Sequence, residues 1–327
     1  MNSASNTMRA AEFDGYGPAS VMQVRVVPRP APAPGEALVR VHASTVNPID
    51  TIVRSGVLKW RTGKVFPKRI GIDFAGEIVD AGSDPRGLKP GDRVWGVMPL
   101  ELEKGEGQGS AADYVTISTS RLAKSPAALD FVQAAALSSV GAVAIIALVD
   151  KARLQAGERL LVRGGAGGVG SAAIQLGRQL GAHVTALGSG KDLDFLRELG
   201  ADTALDYRTT DPNTLPPFDV ILDLAGTDLG AYRRRLGPQG RMYCLAVKSL
   251  GALLYFQFSK IYGSKRVTFF SAAPLGPTMA ALADLVDQGA VRAIVDSVYP
   301  LEDIALAQAS VEAGGGRGKR VLAHTGA

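Results

Sequence analysis

The spacing of hydrophobic positions changes near residue 126, and the two parts of the chain predict different structures. Before that point, short runs rich in Val, Ile, Phe, Trp or Tyr are bounded by Gly, Pro, Ser or Asp, as is typical of strands and turns. These runs lie at residues 37–43, 74–81, 91–97 and 112–117. The first part is therefore expected to be rich in β-structure.

From residue 127, strand-like and helix-like runs alternate, which indicates βαβ units around a parallel sheet. One run carries Val169, Ala173, Leu176 and Leu180 at helical spacing, which gives an apolar face to lay on the sheet. A last helix is predicted at 278–288, and the tail returns to strand-like runs from residue 292. The predicted strands of this part lie at 159–163, 183–187, 203–206, 219–224, 241–247, 267–271 and 319–323.

Length and composition fit a folded protein of two domains. The chain has 327 residues, of which 46% are hydrophobic and 20% charged, enough apolar material for full cores. The net charge is +5, but the densest basic cluster, residues 233–235, is interpreted as a solvated helix face. We therefore expect no nucleic-acid partner.

The compartment is judged from cysteine content and apolar runs. Cys244 is the single cysteine, so an intrachain disulfide is excluded and a reducing compartment fits. Residues 1–10 lack the apolar core of a signal peptide. Residues 131–149 are long and apolar, but the run is rich in Ala and lies between Asp130 and Asp150, so a buried helix is expected. We expect a cytoplasmic protein with no membrane partner.

A glycine-rich turn lies where a dinucleotide site needs one, after a predicted strand and before a helix starting at about Val169. Gly165 is expected to allow the tight turn, Gly167 to let the backbone approach a pyrophosphate, and Gly170 to let the helix pack on the strand. The helix N-terminus adds free N–H groups and partial positive charge for phosphates. The predicted cofactor-binding residues of the turn are Gly165, Ala166, Gly167, Gly168, Val169 and Gly170.

The residues after the second strand of this part favour NADPH over NADH. NAD-specific sites usually place a carboxylate there, and residues 187–191 contain none. Ser189 and Lys191 are instead suited to bind and neutralise a 2′-phosphate. Asp192 and Asp194 follow slightly later, so the use of NADH stays open.

Several motifs, in the same order along nearly the whole chain, resemble the zinc-independent medium-chain dehydrogenases/reductases, close to the quinone oxidoreductases. Residues 46–56, 284–290 and 316–321 especially resemble the branch that contains the mitochondrial reticulon-4-interacting protein. Besides the glycine turn, the motifs are Val46-Asn47-Pro48-Ile49-Asp50, Gly71-Ile72-Asp73-Phe74-Ala75-Gly76-Glu77, Leu88-Lys89-Pro90-Gly91-Asp92-Arg93-Val94, Leu199-Gly200-Ala201-Asp202, Asp206-Tyr207-Arg208 and Gly318-Lys319.

The resemblance implies an α/β protein of two domains. A GroES-like, β-rich catalytic domain is expected at 1–126 and 292–327, and a Rossmann doubly wound parallel sheet at 127–291. The family also implies dimers or tetramers; we expect a homodimer, commonly formed by pairing the last Rossmann strands, here 267–271. Tyr207 is carried over as a neighbour of the adenosine ribose phosphate, and Lys319 is counted among the cofactor-binding residues.

Zinc-dependent members of this superfamily need thiolate and imidazole ligands at two of these motifs. This chain has Asn47 and Asp50 in the first, and Gly71-Ile72-Asp73 where the second would carry Gly-His-Glu. The three histidines, His42, His183 and His324, lack ligand spacing and are expected to be packing or surface residues. No tetrahedral zinc site is expected from this inventory.

Without a metal, the acceptor must tolerate hydride addition unaided, as quinones and α,β-unsaturated carbonyls do. Asn47 is the first candidate for a donor to the acceptor oxygen, and Asp50 is expected to fix the loop or relay a proton. Many relatives carry a tyrosine in the segment held here by residues 51–53, and a threonine at the position of Val143. The proton donor is therefore open. Three aromatic residues are considered as cleft-lining replacements: Tyr255, Phe256 and Tyr262.

Three functions are compared. The leading hypothesis is an NADPH-dependent quinone or activated-alkene reductase acting on a small molecule. An enoyl-thioester reductase is an alternative, and a dinucleotide-binding interaction protein without activity is the third. The second would need a basic entrance for phosphopantetheine, for which the candidates are Lys59, Arg61, Lys64, Lys68 and Arg69.

Overall fold

The structure is a computed structural model that describes residues 6–99, 108–246 and 267–324. The chain forms two compact units. Unit 1 holds residues 1–139, 273–288 and 293–327, and unit 2 holds residues 140–272 and 289–292. The expected domain limits near residues 126 and 292 stay a prediction.

Unit 1 is rich in strands, as its short apolar runs bounded by turn residues indicated. A three-stranded antiparallel sheet places β1 (Thr7–Phe13) between β2 (Gln23–Pro28) and β4 (Lys68–Arg69). A second sheet has seven strands, which are β3 (Glu36–Val46), β5 (Asp73–Asp80), β6 (Arg93–Val97), β7 (Tyr114–Ser118), β8 (Leu122–Lys124), β15 (Val295–Pro300) and β16 (Lys319–Ala323). Their order is β15-β16-β3-β5-β6-β8, with β7 paired to β3.

The long strand β3 organises the larger sheet. Its apolar side chains Val39 and Val41 are buried with Phe74 and Ile117 in one core. Antiparallel pairing sets Val46 opposite Arg320 and Ser44 opposite Phe74. The end of β3 therefore lies beside the first residues of both β16 and β5.

The helices of unit 1 are α1 (Pro48–Arg54), α2 (Lys59–Thr62), α7 (Gly276–Asp287) and α8 (Ile304–Ala313). Helix α3 (Phe131–Ile145) continues into a π-helical turn, Ile146–Lys151. Among the described residues, 131–151 is long and apolar enough to cross a membrane, but 72% of its apolar window is buried within the protein. The prediction of a buried helix is confirmed.

Unit 2 is a doubly wound parallel sheet, so the predicted fold class is confirmed. Its strands are β9 (Arg159–Arg163), β10 (His183–Gly188), β11 (Thr203–Asp206), β12 (Phe218–Asp223), β13 (Leu236–Cys244) and β14 (Val267–Phe269). The helices are α4 (Gly168–Gln179), α5 (Leu193–Glu198) and α6 (Leu229–Arg233). In the strand order β11-β10-β9-β12-β13-β14, all strands are parallel, and successive strands are added on one side of β9 up to β11 and on its other side from β12. The point where the order reverses therefore lies between β9 and β12.

The sequence-based prediction was wrong in part of the tail. Residues 304–313 form α8, although strand-like runs were expected there. Ile304, Ala307 and Gln308 are its buried positions, at helical spacing. Gln308 is buried although it is polar, because it accepts a hydrogen bond from the buried Arg54 at 2.5 Å. A polar residue at a buried position interrupts the apolar period by which a helix is recognised in the sequence.

Candidate functional site

The glycine turn joins β9 to α4 at the carboxyl edge of the unit 2 sheet. Gly164, one residue before the predicted turn, has a φ of 80°, so Gly164 rather than Gly165 makes the left-handed turn. The N–H groups of Gly164 and Gly165 donate to the Leu187 carbonyl at 3.1 and 2.9 Å, which ties the turn to β10. Helix α4 begins at Gly168, and Ala166 and Val169 lie on either side of this start.

Packing distinguishes the later glycines. A Cβ on Gly170 would lie 2.2 Å from the Gly164 carbonyl oxygen and 2.8 Å from the Gly165 Cα, so the helix can approach the strand only without one. A Cβ on Gly167 would have the Gly164 oxygen, at 3.6 Å, as its nearest neighbour. The turn is thus filled on its inner side and open beside Gly167. This cradle and the α4 N-terminus fit a dinucleotide pyrophosphate.

The predicted 2′-phosphate residues meet at one corner of this edge. Ser189 and Lys191 follow β10, and Tyr207 follows β11, the parallel neighbour of β10. The Tyr207 N–H donates to the Gly188 carbonyl at 3.0 Å, and the Tyr207 side chain is 54% exposed. Sequence reasoning did not assign a role to Arg208, whose guanidinium lies 5.4 Å from the Tyr207 ring centre at the same corner.

A carboxylate also approaches this corner, although residues 187–191 contain none. Asp206 ends β11, and its Oδ2 would lie 2.7 Å from a Cβ on Gly190. Its Oδ1 accepts the Arg208 backbone N–H at 3.0 Å. The acid comes from the third strand of the unit rather than the second, so reading the second strand alone could not reveal it. Lys191 and Arg208 therefore share the corner with Asp206, and Asp192 follows Lys191 directly.

A buried ion pair lies at the reversal point between β9 and β12. Arg163 ends β9 and pairs with Asp223 at the end of β12, and both side chains are almost fully buried. The Asp223 Oδ1 accepts the N–H groups of Ala225 and Gly226, each at 2.8 Å, and Arg163 Nη1 donates to the Thr227 carbonyl at 2.7 Å. The pair thus fixes the loop at 224–227. The signal in the sequence was a charged residue directly after the apolar run of each strand, 160–162 in β9 and 220–222 in β12.

The second polar site lies in unit 1, around the fully buried carboxylate of Asp73. Asp73 begins β5, and β3 and β16 bring their residues to it. Its Oδ2 accepts from Thr45 Oγ1 at 2.8 Å and from Ser139 Oγ, and its Oδ1 accepts from Asn47 Nδ2 at 2.5 Å. Lys319 Nζ lies 3.0 Å from Oδ2. We call Thr45, Asn47, Asp73, Ser139 and Lys319 the Asp73 cluster.

Asn47 is held on both sides of its amide. The Oδ1 accepts from Lys319 Nζ at 2.5 Å, and Nδ2, besides donating to Asp73, lies 3.5 Å from Thr45 Oγ1. The structure therefore brings Lys319 together with Asn47, a candidate catalytic residue, within unit 1. The role of Lys319 in cofactor binding stays a prediction.

Asp50 lies beside the Asp73 cluster in the first turn of α1. It is 3% exposed and accepts the Asn47 N–H at 2.7 Å and the Gly71 N–H at 3.1 Å. Burial raises the pKa of Asp50 to about 6, and the nearby charge of Asp73 adds to the rise, while the two N–H groups oppose it. Asp50 thus fixes the loop that carries Asn47, and both of its protonation states are accessible near neutral pH.

Two of the three histidines have packing partners. His42 stacks on Phe131 with ring centres 4.3 Å apart, and the buried His324 lies 2.9 Å from Ser44 Oγ. His183 is exposed at the start of β10. Within residues 6–99, 108–246 and 267–324, no group of three or more His, Cys, Asp or Glu side chains is placed to hold a metal.

Two of the five bases suggested for a phosphopantetheine entrance point elsewhere. Lys68 is buried and donates to the Thr62 carbonyl at 2.7 Å, and Arg69 pairs with Glu12 at 3.3 Å. Lys59, Arg61 and Lys64 are exposed. Three aromatic residues considered for the cleft lie outside the described residues: Tyr255, Phe256 and Tyr262.

Comparisons with known proteins agree with this arrangement. The family model described as alcohol dehydrogenase GroES-like domain matches residues 33–127, and the one described as zinc-binding dehydrogenase matches residues 199–322. The NAD(P)H oxidoreductase RTN4IP1, mitochondrial, of Homo sapiens is 33% identical over 88% of this chain and 82% of its own length. The 2-methylene-furan-3-one reductase of Solanum lycopersicum is 31% identical over 98% and 80%.

A solved structure extends the similarity to nearly the whole fold. The quinone oxidoreductase from Coxiella burnetii superposes with a TM-score of 0.87 and is 29% identical, covering 97% of this chain and 99% of that chain. The similarity therefore includes both units.

Proposed function

This chain belongs to the medium-chain dehydrogenase/reductase superfamily, and within it we propose an NADPH-dependent, zinc-independent reductase of quinones or α,β-unsaturated carbonyls. The chain is an oxidoreductase that uses a nicotinamide cofactor, and the human relative is named an NAD(P)H oxidoreductase. The names of the Coxiella and tomato proteins, a quinone oxidoreductase and an enone reductase, support this acceptor class. The main support for this proposal is the Asp73 cluster, in which a lysine contacts the two motifs where zinc-dependent members carry metal ligands.

The Asp73 cluster supports chemistry without zinc. A zinc site needs several thiolate, imidazole or carboxylate ligands. Here the cluster offers one carboxylate and one neutral amide, and the Lys319 ammonium already balances the carboxylate at 3.0 Å. These residues do not fit a zinc ion.

The cluster also supports Asn47 as the donor to the acceptor oxygen. An ammonium bonded to an amide oxygen polarises the amide and strengthens its N–H as a donor. Lys319 does this to Asn47, whose Nδ2 donates to Asp73 at 2.5 Å and otherwise meets only Thr45, at the long distance of 3.5 Å. Asp50, with its pKa raised to about 6 mainly by burial, is suited to relay a proton. NADPH would supply the hydride when bound. These residues would hold the acceptor and stabilise the negative charge that develops on its oxygen.

The unit 2 corner supports NADPH. Ser189, Lys191, Tyr207 and Arg208 together offer hydroxyl groups and two cations, which suit a phosphate better than a free ribose hydroxyl. Lys191→Ala and Arg208→Ala should each weaken NADPH binding about tenfold or more, with little change for NADH. Arg234→Ala, an exposed base just before β13 and away from this corner, is the matched control.

Turnover tests the proposal directly. Purified protein with NADPH or NADH is mixed with a benzoquinone, a 2-alkenal or a crotonyl thioester, and the loss of reduced-cofactor absorbance is followed. We expect turnover of the first two with NADPH. Tight NADPH binding without turnover of any acceptor would contradict the proposed enzymatic activity. Equal losses of affinity for NADPH and NADH in Lys191→Ala would contradict only the 2′-phosphate assignment.

We also propose a homodimer in the cytoplasm. β14 lies at the edge of the six-stranded sheet, which supports pairing between two copies along this strand. The cytoplasmic location rests on the single buried cysteine, and the human relative is named mitochondrial. Sedimentation velocity tests the dimer.

A further inference from the structure

We propose that the loop at residues 57–65 docks this protein on an anionic lipid surface, with Trp60 inserted at the level of the headgroups. The loop includes α2 and lies in unit 1. Trp60 is 78% exposed, and Val57 and Val65 are 67% and 55% exposed. We call these three side chains, with the exposed Lys59, Arg61 and Lys64, the Trp60 patch.

The loop is held from below, so the exposure of its tip does not come from missing anchors. Thr62 is buried, and its hydroxyl lies 2.5 Å from the Tyr16 hydroxyl. Lys68 Nζ donates to the Thr62 carbonyl at 2.7 Å. The Tyr16 ring packs edge-on against Phe66 with centres 5.1 Å apart. An anchored loop that presents a tryptophan outward loses little conformational freedom on docking.

Charge determines which surface the patch fits. Between Asp50 and Asp73 the chain has six basic residues and no acidic one. Within the part of the chain that the structure describes, two acids of the adjoining strand β1 and its following turn pair with other bases, Glu12 with Arg69 at 3.3 Å and Asp14 with Arg25. The exposed Lys59, Arg61 and Lys64 lie within four residues of Trp60 in the chain, and this combination of an aromatic ring with basic residues is typical of side chains at a membrane interface.

Other occupants fit less well. A second copy on a twofold axis would bring Lys59, Arg61 and Lys64 against their own copies, so like charges would oppose the contact. Single-stranded nucleic acid stacks on aromatic rings, but Val57 and Val65 offer it nothing to stack on. Both valines instead gain from leaving water when they enter the interface. The sequence alone had indicated no membrane partner, and the exposed patch is the observation that changes this expectation.

The two tryptophans of the chain give a direct measurement, since Trp95 is fully buried on β6. The full chain is mixed with vesicles of phosphatidylcholine alone or with added phosphatidylserine, and emission and quenching by aqueous iodide are recorded. On the anionic vesicles, we expect the Trp60 emission to shift to shorter wavelength and to become protected from iodide. Co-sedimentation with these vesicles should weaken as salt is raised.

Variants separate the apolar and charged contributions. Trp60→Ala should weaken vesicle binding about tenfold, and Lys59→Glu with Lys64→Glu should weaken it at least about 25-fold. Leu306→Ala, at an exposed apolar position on α8, and Lys89→Glu with Arg234→Glu, which change the net charge equally, are the controls. Both controls should bind like the unaltered chain.

Three results would overturn the proposal. One is equal binding to neutral and anionic vesicles, and a second is an iodide-accessible Trp60 on sedimented vesicles. The third is protection of Trp60 that rises with protein concentration without vesicles, which would assign the patch to a second copy. Because cofactor turnover with water-soluble quinones is measured separately, failure of docking and failure of the proposed function are distinguishable.

Discussion

Replacing Lys319 with methionine would leave the carboxylate of Asp73 buried without its counter-charge. Methionine keeps the unbranched chain up to the ε position but removes the ammonium that lies 3.0 Å from Asp73 Oδ2 and 2.5 Å from Asn47 Oδ1. The two side chains are 6% and 0% exposed, so water cannot replace the lost partner. The substitution therefore tests whether the ion pair between Lys319 and Asp73 stabilises unit 1.

The expected cost is large. At an effective dielectric constant of about 20, two charges 3.0 Å apart attract by about 5–6 kcal/mol, much of which offsets their burial. Removing one partner of a buried pair typically costs about 3–5 kcal/mol. We expect Lys319→Met to lower the free energy of unfolding of unit 1 by this amount, and Asp73→Asn to cost a similar amount. The double variant should cost about 3 kcal/mol less than the sum.

Urea unfolding followed by tryptophan emission is the assay, because Trp60 and Trp95 both lie in unit 1. Lys124→Met is the matched control, since Lys124 pairs with Asp92 at 3.1 Å but is 60% exposed, and such a pair contributes at most about 1 kcal/mol. The reasoning is refuted if Lys319→Met costs no more than Lys124→Met, or if the two changes in the cluster add without coupling.

Three further predictions follow from single residues. Because burial raises the pKa of Asp50 from 3.8 to about 6, the folded state holds this proton to higher pH than the unfolded chain does. The free energy of unfolding should therefore fall by about 3 kcal/mol as pH rises from about 4 to 6. Asp50→Asn should flatten that part of the plot of urea midpoint against pH. Gly170→Ala should lose about 1–3 kcal/mol of stability and most NADPH affinity, while Gly167→Ala should weaken NADPH binding alone; equal stability losses would contradict the packing argument. Burial raises the pKa of the Cys244 thiol, so a disulfide reagent should label it fully in urea and only slowly in the native protein; rapid native labelling would contradict its burial.

The sequence predicted the strands of unit 2 well, because each is a local run of apolar residues bounded by turns. β9 and β11 have the predicted bounds, and so does β16 in unit 1. The glycine turn could also be recognised locally, although the left-handed residue is Gly164, which adjoins the motif. Local pattern was insufficient for α8, because Gln308 occupies a buried position there.

The Asp73 cluster could not be predicted in the same way. Asn47, Asp73 and Lys319 are far apart in the chain and meet through the antiparallel register of β16, β3 and β5. No local pattern reports which strand edges meet. The same limit applies to Asp206, which reaches the cofactor corner from β11, and to Lys68, which reads as a surface base but is bonded inside the fold.

The central claim is that this chain transfers hydride from NADPH to an activated acceptor, and isotope transfer tests it most directly. NADPH carrying deuterium at C4 of the nicotinamide, prepared separately in each of the two configurations, is incubated with the protein and a 2-alkenal. We predict that one configuration places its deuterium on the β-carbon of the saturated product. Saturated product without deuterium from either configuration, or no product despite bound NADPH, would contradict the account.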